Sequence, residues 1–463
     1  MKLCVIGGTG ARSAFLTKSL VKNARSIRVD HIVLLDNDPL KLRTYGQIAK
    51  QIAFRLDPEL RFEVTEDARA ALTDVDYIIT TIRAGGDAGR LFDEKTCMEL
   101  GVLGQETTGG GGFAMAIRSI PTLLYYCRLA REVAKPGHLI FNFTNPSGII
   151  SQAMRQEGFD NVYGICDAPS GFIKQLEEIL EVPYGTLDIE CYGLNHLSWF
   201  RNAKLNGEDV QQALLDNHRT YEHSEMRLFT REMATLNDEC MLNEYLYFYY
   251  RRAKSQGMIR KAEHPRGEMI YLINSELEKE LDKLEFPRDF EKGFNLYMQA
   301  YGKRENAYFS VESGANREKA WIPPTIEEFL AQPDEGGYAA VALQFIHAIT
   351  DGTPCRMVLS VPNNGSIEGL ADDDVVEITC DIRSDGAHPV KIGKVSQFQL
   401  LQMQRIKFFE RCTIQAILNN DREIAVQGLY MHPLVNDMDI ARKLTDIFFT
   451  EYEPFISMNR NEF

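Results

Sequence analysis

The sequence predicts an α/β fold, with a doubly wound parallel sheet first and a second, mainly helical α+β domain after it. Three observations support this prediction. The first two-fifths of the chain alternate short apolar runs with helical patterns. The first apolar run leads directly into glycines, and long amphipathic helices prevail after about Gly193. We expect a Rossmann-like domain at residues 1–193 and an interlocked second domain at residues 194–463.

Each predicted element has a recognisable pattern. Six apolar runs in the first part have the length of buried parallel strands: Lys2–Ile6, His31–Asp36, Arg61–Val64, Asp76–Ile82, His138–Phe143 and Val162–Ile165. In the second part, the spacing of apolar residues predicts helices at Asn243–Ser255 and Glu268–Lys283, and alternation predicts strands near Arg356–Val361 and Val375–Ile382. The sequence shows no internal repeat and no flexible linker, which favours interlocking.

Composition excludes several classes of partner. The chain has 463 residues, 44% of them hydrophobic, and a formal net charge of −15. Such a charge argues against nucleic acid and anionic membranes, although local arginines could still hold a small anion. The nine cysteines are odd in number and lack C-x-x-C spacing, so we expect mostly buried, reduced thiols. No run has the length of a membrane span or signal peptide, and we expect a cytoplasmic protein.

The first strand is followed by a candidate dinucleotide site. Gly8 and Gly10 stand at the strand-to-helix turn, where glycines let the backbone approach a pyrophosphate, and Ser13 replaces the third glycine of the usual pattern. Asp36 ends the next strand, where its carboxylate can accept hydrogen bonds from a ribose diol. A plain turn beside a surface aspartate is the structural alternative. The combination favours NAD over NADP.

The segment from Ile82 to Phe113 is glycine-rich, and we interpret it as one long functional loop. It carries five charged residues of interest: Arg83, Arg90, Asp93, Glu94 and Glu106. The planar guanidinium of Arg90 could bind a phosphate or a carboxylate, although a solvated surface arginine is the usual alternative. The glycines at 109–112 indicate close approach to a ligand or a mobile lid.

Polar residues follow three further strands. Asn145 follows "LIFNF", Cys166 and Asp167 follow "VYGI", and His196 follows "IECYGLN". Ligands of open α/β sheets bind at such strand ends. Cys166 and His196 could coordinate a divalent metal and leave open positions for substrate oxygens. On spacing alone, a buried cysteine and a core histidine are the more common reading.

An ordered series of motifs changes that reading. The sequence resembles glycoside hydrolase family 4, the NAD- and divalent-metal-dependent phosphoglycosidases, along nearly all of its length. The resemblance rests on GGTGARS, RAGGDAGRLFDE, GQETTGGGGF, FTNPSG, ICDAP, GLNHLSWF, YLYFYY, HPRGE and MHPLVNDMDIARKL. It implies a fold of the lactate/malate dehydrogenase-like superfamily, with NAD and Mn²⁺ or another divalent metal as cofactors.

The resemblance also implies roles for single residues. Cys166 and His196 match the metal ligands of the family, and three residues match its substrate-binding positions: Arg90, Asn145 and Arg266. Tyr245 matches the catalytic base, Glu106 a residue that makes this tyrosine more basic, and Asp167 the leaving-group acid of α-specific members. A tyrosine is a poor base at neutral pH unless a positive charge or a metal lowers its pKa.

The implied reaction is hydrolysis of a phosphorylated sugar, and the family is an exception to the paired-carboxylate mechanism. NAD-dependent oxidation at C3 is followed by elimination across C1 and C2, addition of water and re-reduction. Asp167 favours an α-linked substrate. More residues point to 6-phospho-β-glucosides such as cellobiose 6-phosphate, because "RAGG", "GQETTGGGGF" and "YLYFYY" resemble the β-specific wording. A 6-phospho-α-glucosidase is the alternative.

Two other classes remain open from the residues. A 2-hydroxy-acid dehydrogenase shares the sheet but needs its catalytic histidine in a "GxHG" segment, whereas His196 lies in "LNHLS". A non-enzymatic NAD-binding sensor would not need the metal pair. Apolar stripes such as "LTDIFFTEYEPFI" predict a homo-oligomer, either a homodimer or a homotetramer.

Overall fold

The computed structural model describes residues 1–307, 313, 321–334 and 339–458. Within these residues one sheet of 13 strands forms the centre of the molecule. The strands are β1 (Lys2–Ile6), β2 (His31–Leu35), β3 (Arg61–Thr65), β4 (Tyr77–Thr80), β5 (Leu139–Asn142), β6 (Val162–Gly164), β7 (Leu187–Leu194), β8 (Leu197–Leu205), β9 (Glu208–Asp209), β10 (Met241–Leu242), β11 (Cys355–Pro362), β12 (Val375–Arg383) and β13 (Gly386–Pro389).

Helices cover the sheet and form most of the second part. They are α1 (Ser13–Asn23), α2 (Pro39–Arg43), α3 (Tyr45–Leu56), α4 (Ala68–Leu72), α5 (Gly86–Glu99), α6 (Gly109–Val133), α7 (Ser147–Gln156), α8 (Asp167–Leu180), α9 (Gln211–Asp216), α10 (Thr220–His223), α11 (Arg231–Thr235), α12 (Leu246–Tyr250), α13 (Arg252–Lys261), α14 (Arg266–Leu281), α15 (Phe290–Asn306), α16 (Ile326–Ala331), α17 (Ala340–Asp351), α18 (Gln397–Asn419), α19 (Arg422–Met431), α20 (Met438–Glu451) and α21 (Glu453–Met458). A 3₁₀ turn spans Glu225–Leu228.

The doubly wound sheet is confirmed. Six parallel strands lie in the order β3-β2-β1-β4-β5-β6, with register pairs such as Val5 with Leu34 and Ile79 with Phe141. Their side chains alternate between two apolar clusters. Leu3 and Val5 pack on the face covered by α1 and α3, whereas Cys4 and Ile6 pack on the face covered by α4, α6 and α7. This two-sided burial explains the continuous apolar runs.

The sheet does not end with its parallel half. Beyond β6 it continues in the order β11-β12-β7-β8-β10, and these neighbours pair antiparallel. Strand β7 (Leu187–Leu194) contains both residues of the expected domain boundary, and β11 and β12 come from far along the chain. The second part therefore adds strands to the sheet of the first. The boundary between residues 193 and 194 itself stays a prediction.

The prediction of one long loop at residues 82–113 was wrong. Two helices, α5 and α6, occupy most of this segment, and only Leu100–Thr108 connects them. Glycines 110–112 lie buried in the first turn of α6. Neighbouring atoms lie so close to them that a side chain would not fit. A Cβ on Gly112 would lie 2.7 Å from the backbone of Thr107. These glycines therefore permit tight packing, and the interpretation as a mobile lid is corrected.

Other differences are smaller. The expected helix Asn243–Ser255 is two helices, α12 and α13, which meet at Arg251 with φ −121° and ψ 30°. Strand β5 ends at Asn142, so Asn145 lies in the turn beyond it. All nine cysteines are free, and only Cys166 and Cys355 are partly exposed, as expected. None of the helices within the described ranges is long and apolar enough to cross a membrane.

Replacing Gly111 by alanine tests the packing role of the glycine run. The added Cβ would overlap the carbonyl oxygen of Gln105, and this backbone atom cannot yield as a flexible side chain can. We expect Gly111→Ala to lower the free energy of unfolding by about 3 kcal/mol, measured by urea denaturation. The control is Gly257→Ala in α13, where the new Cβ meets open space and stability should be unchanged or rise by about 0.5–1 kcal/mol. Equal stability of both variants would contradict the packing role.

Candidate active site

A cleft of about 1630 Å³ runs along the carboxyl ends of the parallel strands. All twelve residues proposed from the sequence line it: Gly8, Gly10, Ser13, Asp36, Arg90, Glu106, Asn145, Cys166, Asp167, His196, Tyr245 and Arg266. These residues are spread along the chain from the turn after β1 to the start of α14, and the sheet edge brings them together. The strand ends therefore define one site.

One end of the cleft fits a dinucleotide. The backbone N–H groups of Gly7 and Gly8 donate to the carbonyl of Leu35 and fix the loop after β1. Gly10 faces open space where a Cβ would stand. Among the described residues, the buried hydroxyls of Thr9 and Ser13 have no hydrogen-bond partner, so a ligand can supply one.

Asp36 lies directly after β2, at the same end of the cleft. Its carboxylate accepts hydrogen bonds from the backbone N–H groups of Thr9 at 3.3 Å and Asp38 at 3.2 Å. These bonds orient the carboxylate beside the glycine loop. The position fits the recognition of a ribose diol, as the sequence predicts.

Cys166 and His196 approach each other across the sheet edge. Cys166 follows β6 and precedes α8, and His196 lies in the two-residue turn between β7 and β8 with φ +64°. The Cys166 Sγ lies 3.9 Å from the His196 Nε2. Tetrahedral coordination with bonds of ~2.3 Å to sulfur and ~2.1 Å to nitrogen would place these atoms about 3.6 Å apart, so the pair fits one metal ion.

Burial acts on both members of this pair. It raises the pKa of the Cys166 thiol well above its ordinary range, and the charges of Glu377 and Asp167 add to this effect. Burial also lowers the pKa of His196 to about 3, against an opposing effect of Glu106. The imidazole is therefore neutral and keeps a lone pair for a metal, while the thiol would lose its proton on binding one.

Side chains behind the turn hold His196 in place. The amide of Asn195 donates to Glu377 at 2.9 Å, and the hydroxyl of Ser198 donates to the same carboxyl group at 2.8 Å. Burial raises the pKa of Glu377 to about 7 in spite of these two hydrogen bonds. Across the described part of the chain, no three His, Cys, Asp or Glu residues form a metal-binding group. Cys166 and His196 would therefore leave other coordination positions open.

Tyr245 stacks on the His196 ring. The two ring centroids are 3.6 Å apart and the planes differ by 6°. Tyr245 immediately precedes α12, and its backbone N–H donates to the Asn243 side chain at 2.9 Å. The remaining aromatic residues of this segment pack mostly in the core, with Tyr247 and Phe248 at 2% and 1% exposure. The stack places the phenol beside the proposed metal ligand.

Glu106 lies at the centre of a buried group of charges. Its carboxylate forms ion pairs with Arg83 and with Arg90, the second at 2.8 Å. Burial alone would raise the pKa of Glu106, but the two guanidinium groups outweigh burial and lower it to about 2. Arg90 also contacts Glu94 at 2.7 Å, and Glu94 accepts a hydrogen bond from the Gly267 N–H. Arg90 is therefore paired with two carboxylates rather than free in solvent.

The other proposed residues line the same part of the cleft. Arg266 is the first residue of α14 and donates to the Ala307 carbonyl at 3.0 Å. Asn145 lies in the turn between β5 and α7. Asp167 is the first residue of α8, and a carboxylate oxygen lies 3.4 Å from the Arg12 guanidinium.

Sequence reasoning missed several charged residues of the cleft. Arg12 and Arg304 line it near the glycine loop, and Glu225 and Glu244 line it beyond Cys166. Arg12 could have been found because it lies between Gly10 and Ser13 in the predicted turn. The other three lie on helices or turns of the second part, where spacing gives no signal of a site.

Comparisons with known proteins show the family of the chain. The family 4 glycosyl hydrolase model matches residues 2–182, and the model of the C-terminal domain of that family matches residues 191–435. The 6-phospho-beta-glucosidase BglT of Thermotoga maritima is 28% identical over 96% of this chain and 97% of its own. The phospho-alpha-glucosidase PagL of Clostridium acetobutylicum is 26% identical over 96% and 95%.

One solved structure is similar to this chain over nearly its whole length. The 6-phospho-beta glucosidase from Thermotoga maritima, solved with manganese, NAD⁺ and glucose-6-phosphate, has a TM-score of 0.78 and 27% identity, with 98% of this chain and 99% of that chain covered. The fold and the cleft define a Rossmann-like enzyme. More particularly, the chain belongs to the family 4 glycosyl hydrolases and is a glycoside hydrolase. This membership excludes the non-enzymatic sensor and disfavours the dehydrogenase.

The pKa of Glu106 predicts a dependence of stability on pH. A carboxyl group whose pKa falls from 4.5 to about 2 on folding stabilises the protein above pH 4.5, and this contribution disappears as the pH falls towards 2. We expect Glu106→Gln to lower the free energy of unfolding at pH 7 by on the order of 3 kcal/mol. The difference from wild type should shrink below pH 4.5, as urea unfolding at a series of pH values would show. A difference independent of pH would contradict the ion pairs.

Proposed function

We propose that this chain hydrolyses 6-phospho-β-glucosides, such as cellobiose 6-phosphate, through oxidation at C3, elimination across C1 and C2, addition of water and re-reduction. The observation that carries this proposal is the stack of Tyr245 on His196, beside Cys166 and in the same cleft as the glycine loop. A glycosidase with two catalytic carboxylates needs neither a dinucleotide loop nor a thiol–imidazole pair.

We propose NAD and Mn²⁺, or another divalent metal, as the cofactors. The unpartnered hydroxyls of Thr9 and Ser13 and the open space at Gly10 support the dinucleotide, with Asp36 on the ribose. Cys166 and His196 would hold the metal. The Thermotoga structure with manganese and NAD⁺ supports both assignments. When bound, these groups would supply a hydride acceptor and a Lewis acid for the sugar carbonyl.

The residues of the chain then have separate tasks. Tyr245 would remove the proton from C2, which the neighbouring carbonyl makes acidic. The position of the phenol against a metal-binding imidazole supports this role, because a nearby cation lowers the pKa of a phenol. Asp167, at the start of α8, would protonate the departing oxygen. Glu106 would tune Tyr245, while Arg83 and Arg90 balance its charge.

We place the sugar phosphate near Arg90 and Arg266, with Asn145 on the sugar hydroxyls. The three arginines Arg83, Arg90 and Arg266 all act on Glu106, so they lie close together in the cleft wall. Together with Arg304, they outnumber the three carboxylates that lie beside them, and this excess of positive charge favours an anion. Such a local excess lets a protein of net charge −15 bind a phosphorylated sugar.

The choice of the β anomer rests on sequence motifs more than on the geometry of the site. BglT is a 6-phospho-beta-glucosidase, and its identity of 28% supports the β assignment against the 26% of PagL by a small margin. Asp167 supports the alternative, a 6-phospho-α-glucosidase. Both anomers carry the same phosphate and the same C2 and C3 chemistry, so the site described above serves either.

We further propose a homodimer or homotetramer of cytoplasmic location, with residues 1–193 binding NAD and residues 194–463 supplying the interface. One face of α18 supports the interface, because Phe398, Leu401 and Phe408 on it are 51%, 52% and 43% exposed. Sedimentation velocity at micromolar concentration should show an assembly larger than the 52.6 kDa chain. A stable monomer would contradict it.

A panel of chromogenic glucosides tests the substrate. We expect hydrolysis of the β-linked 6-phosphate when NAD⁺ and Mn²⁺ are both present, and at least a tenfold lower rate when either is withheld. The same glucosides without phosphate should be poor substrates, because the arginines would lack their anion. Preference for the α-linked 6-phosphate would select the alternative. Hydrolysis independent of NAD⁺ and phosphate would contradict the proposal.

Tyr245→Phe tests the base. The variant keeps the ring that stacks on His196, so folding and ligand binding should persist. Loss of a general base typically lowers the rate by about 10²–10⁴-fold, and we expect kcat to fall in this range with a small change in KM. Tyr247→Phe is the matched control in the same segment, because Tyr247 is buried in the core. Equal activity of the Tyr245 variant and wild type would remove Tyr245 from the mechanism.

A further inference from the structure

One wall of the cleft has no role in the hydrolysis proposed above for the 6-phosphoglucoside. It is formed by Gln175 of α8, by Glu225 and Arg227 of the 3₁₀ turn, and by Glu244, and we call it the acidic wall. The two carboxyl groups are 6% and 4% exposed. Buried carboxyl groups are rare in folded proteins, and this wall holds two of them.

Glu225 is the residue of this wall that most clearly indicates a ligand. Among the described residues, its Oε2 is buried and has no hydrogen-bond partner, although the residue lines the cleft. Its backbone N–H donates to the Gln175 side chain at 2.9 Å, which ties the 3₁₀ turn to α8. Burial and the neighbouring Glu244 raise the pKa of Glu225 well above its ordinary range, and Arg227 and a hydrogen bond from the Glu244 backbone offset this only in part. An unpaired carboxyl oxygen in a cleft wall indicates a ligand that supplies hydrogen-bonding groups.

The acidic wall lies next to two residues of the proposed reaction, Tyr245 and Asp167. Glu244 immediately precedes Tyr245, and Asp167 is close enough to Glu225 to raise its pKa. Asp167 also begins α8, the helix that carries Gln175. If Asp167 protonates the departing oxygen, the groups beyond Asp167 face the part of the substrate that leaves.

The charge of the wall excludes one orientation of the substrate. A phosphate at the acidic wall would meet Glu225, Glu244 and Asp167, opposed by Arg227 and by the Arg12 that pairs with Asp167. The arginines that act on Glu106 offer a better position for the phosphate. The phosphorylated ring therefore lies on the Arg90 side, and an uncharged group lies at the acidic wall.

We propose that the acidic wall is the subsite for the leaving group, and that Glu225 recognises hydroxyl groups of an uncharged sugar there. The proposal rests on the proposed function. A polyhydroxylated ring supplies the hydrogen-bond partner that the Oε2 of Glu225 lacks, whereas an aryl leaving group such as p-nitrophenyl supplies no donor. Glu225 is thus a specificity-determining residue that selects phosphorylated disaccharides over aryl glucosides.

The test compares two leaving groups on the same phosphorylated sugar. Wild type and Glu225→Leu, with NAD⁺ and Mn²⁺, are assayed with cellobiose 6-phosphate phosphorylated on the ring that is not released, and with p-nitrophenyl β-glucoside 6-phosphate. If the wild type prefers the α anomer, the α-linked pair is used. Leucine keeps the volume of the side chain without hydrogen-bonding capacity. We expect kcat/KM for the disaccharide to fall about 10–100-fold, and kcat/KM for the aryl substrate to change less than about threefold.

Two variants control the comparison. Glu225→Gln keeps hydrogen-bonding groups and should recover most of the activity on the disaccharide. Glu232→Leu makes the same substitution at an exposed position of α11 and should change neither substrate. If Glu225→Leu does not fold, wild type is assayed with disaccharides that lack single hydroxyl groups on the released ring, and at least one should show about tenfold lower kcat/KM.

The outcomes separate this inference from the proposed function. Equal losses on both substrates, no loss on the disaccharide, or indifference of wild type to every deoxygenated leaving sugar would overturn the subsite while leaving the hydrolysis intact. A wild type that cleaves neither 6-phosphoglucoside would overturn the proposed function, and the subsite with it.

Discussion

The site depends on one contact, the approach of the Cys166 Sγ to the His196 Nε2 at 3.9 Å. Cys166 follows the last parallel strand, whereas His196 belongs to an antiparallel hairpin. Strands β11 and β12, from the second part of the chain, lie between these two elements in the sheet. The same β12 carries Glu377, which holds the turn around His196. The antiparallel extension of the sheet therefore positions His196, the second residue of the proposed metal pair.

Charge separates the cleft into regions with different chemistry. The glycine loop offers backbone N–H groups and hydroxyls, the Arg83–Arg90–Arg266 group offers cations around Glu106, and the acidic wall offers carboxyl groups. A dinucleotide, a phosphate and an uncharged sugar match these regions in turn. Under the proposed function, this order of charges would orient the substrate in the cleft, with its phosphate at the arginines and its leaving group at the acidic wall.

Local patterns predicted the parallel half of the fold well, because buried strands read as apolar runs and βα turns as glycines. The glycines at 109–112 led to the wrong prediction of a loop. The sequence does not show that the backbone of Gln105 and Thr107 packs closely against them. All twelve proposed site residues line one cleft, but most of those assignments came from ordered motifs rather than from spacing. Glu225 and Arg304 were not predicted, because long-range packing alone places them at the site. The pairing of Arg90 with Glu94 follows an i,i+4 pattern and could have been predicted.

In the proposed reaction a proton leaves C2 during turnover, and the fate of that proton tests the pathway most directly. A 6-phosphoglucoside labelled with deuterium at C2 is hydrolysed to completion in ordinary water with NAD⁺ and Mn²⁺, and the released glucose 6-phosphate is analysed by NMR. We expect the C2 deuterium to be replaced by hydrogen from solvent, since a tyrosine base exchanges its proton with water. Direct displacement at C1 never breaks the C2–H bond. Full retention of deuterium at C2 would contradict the oxidation and elimination pathway.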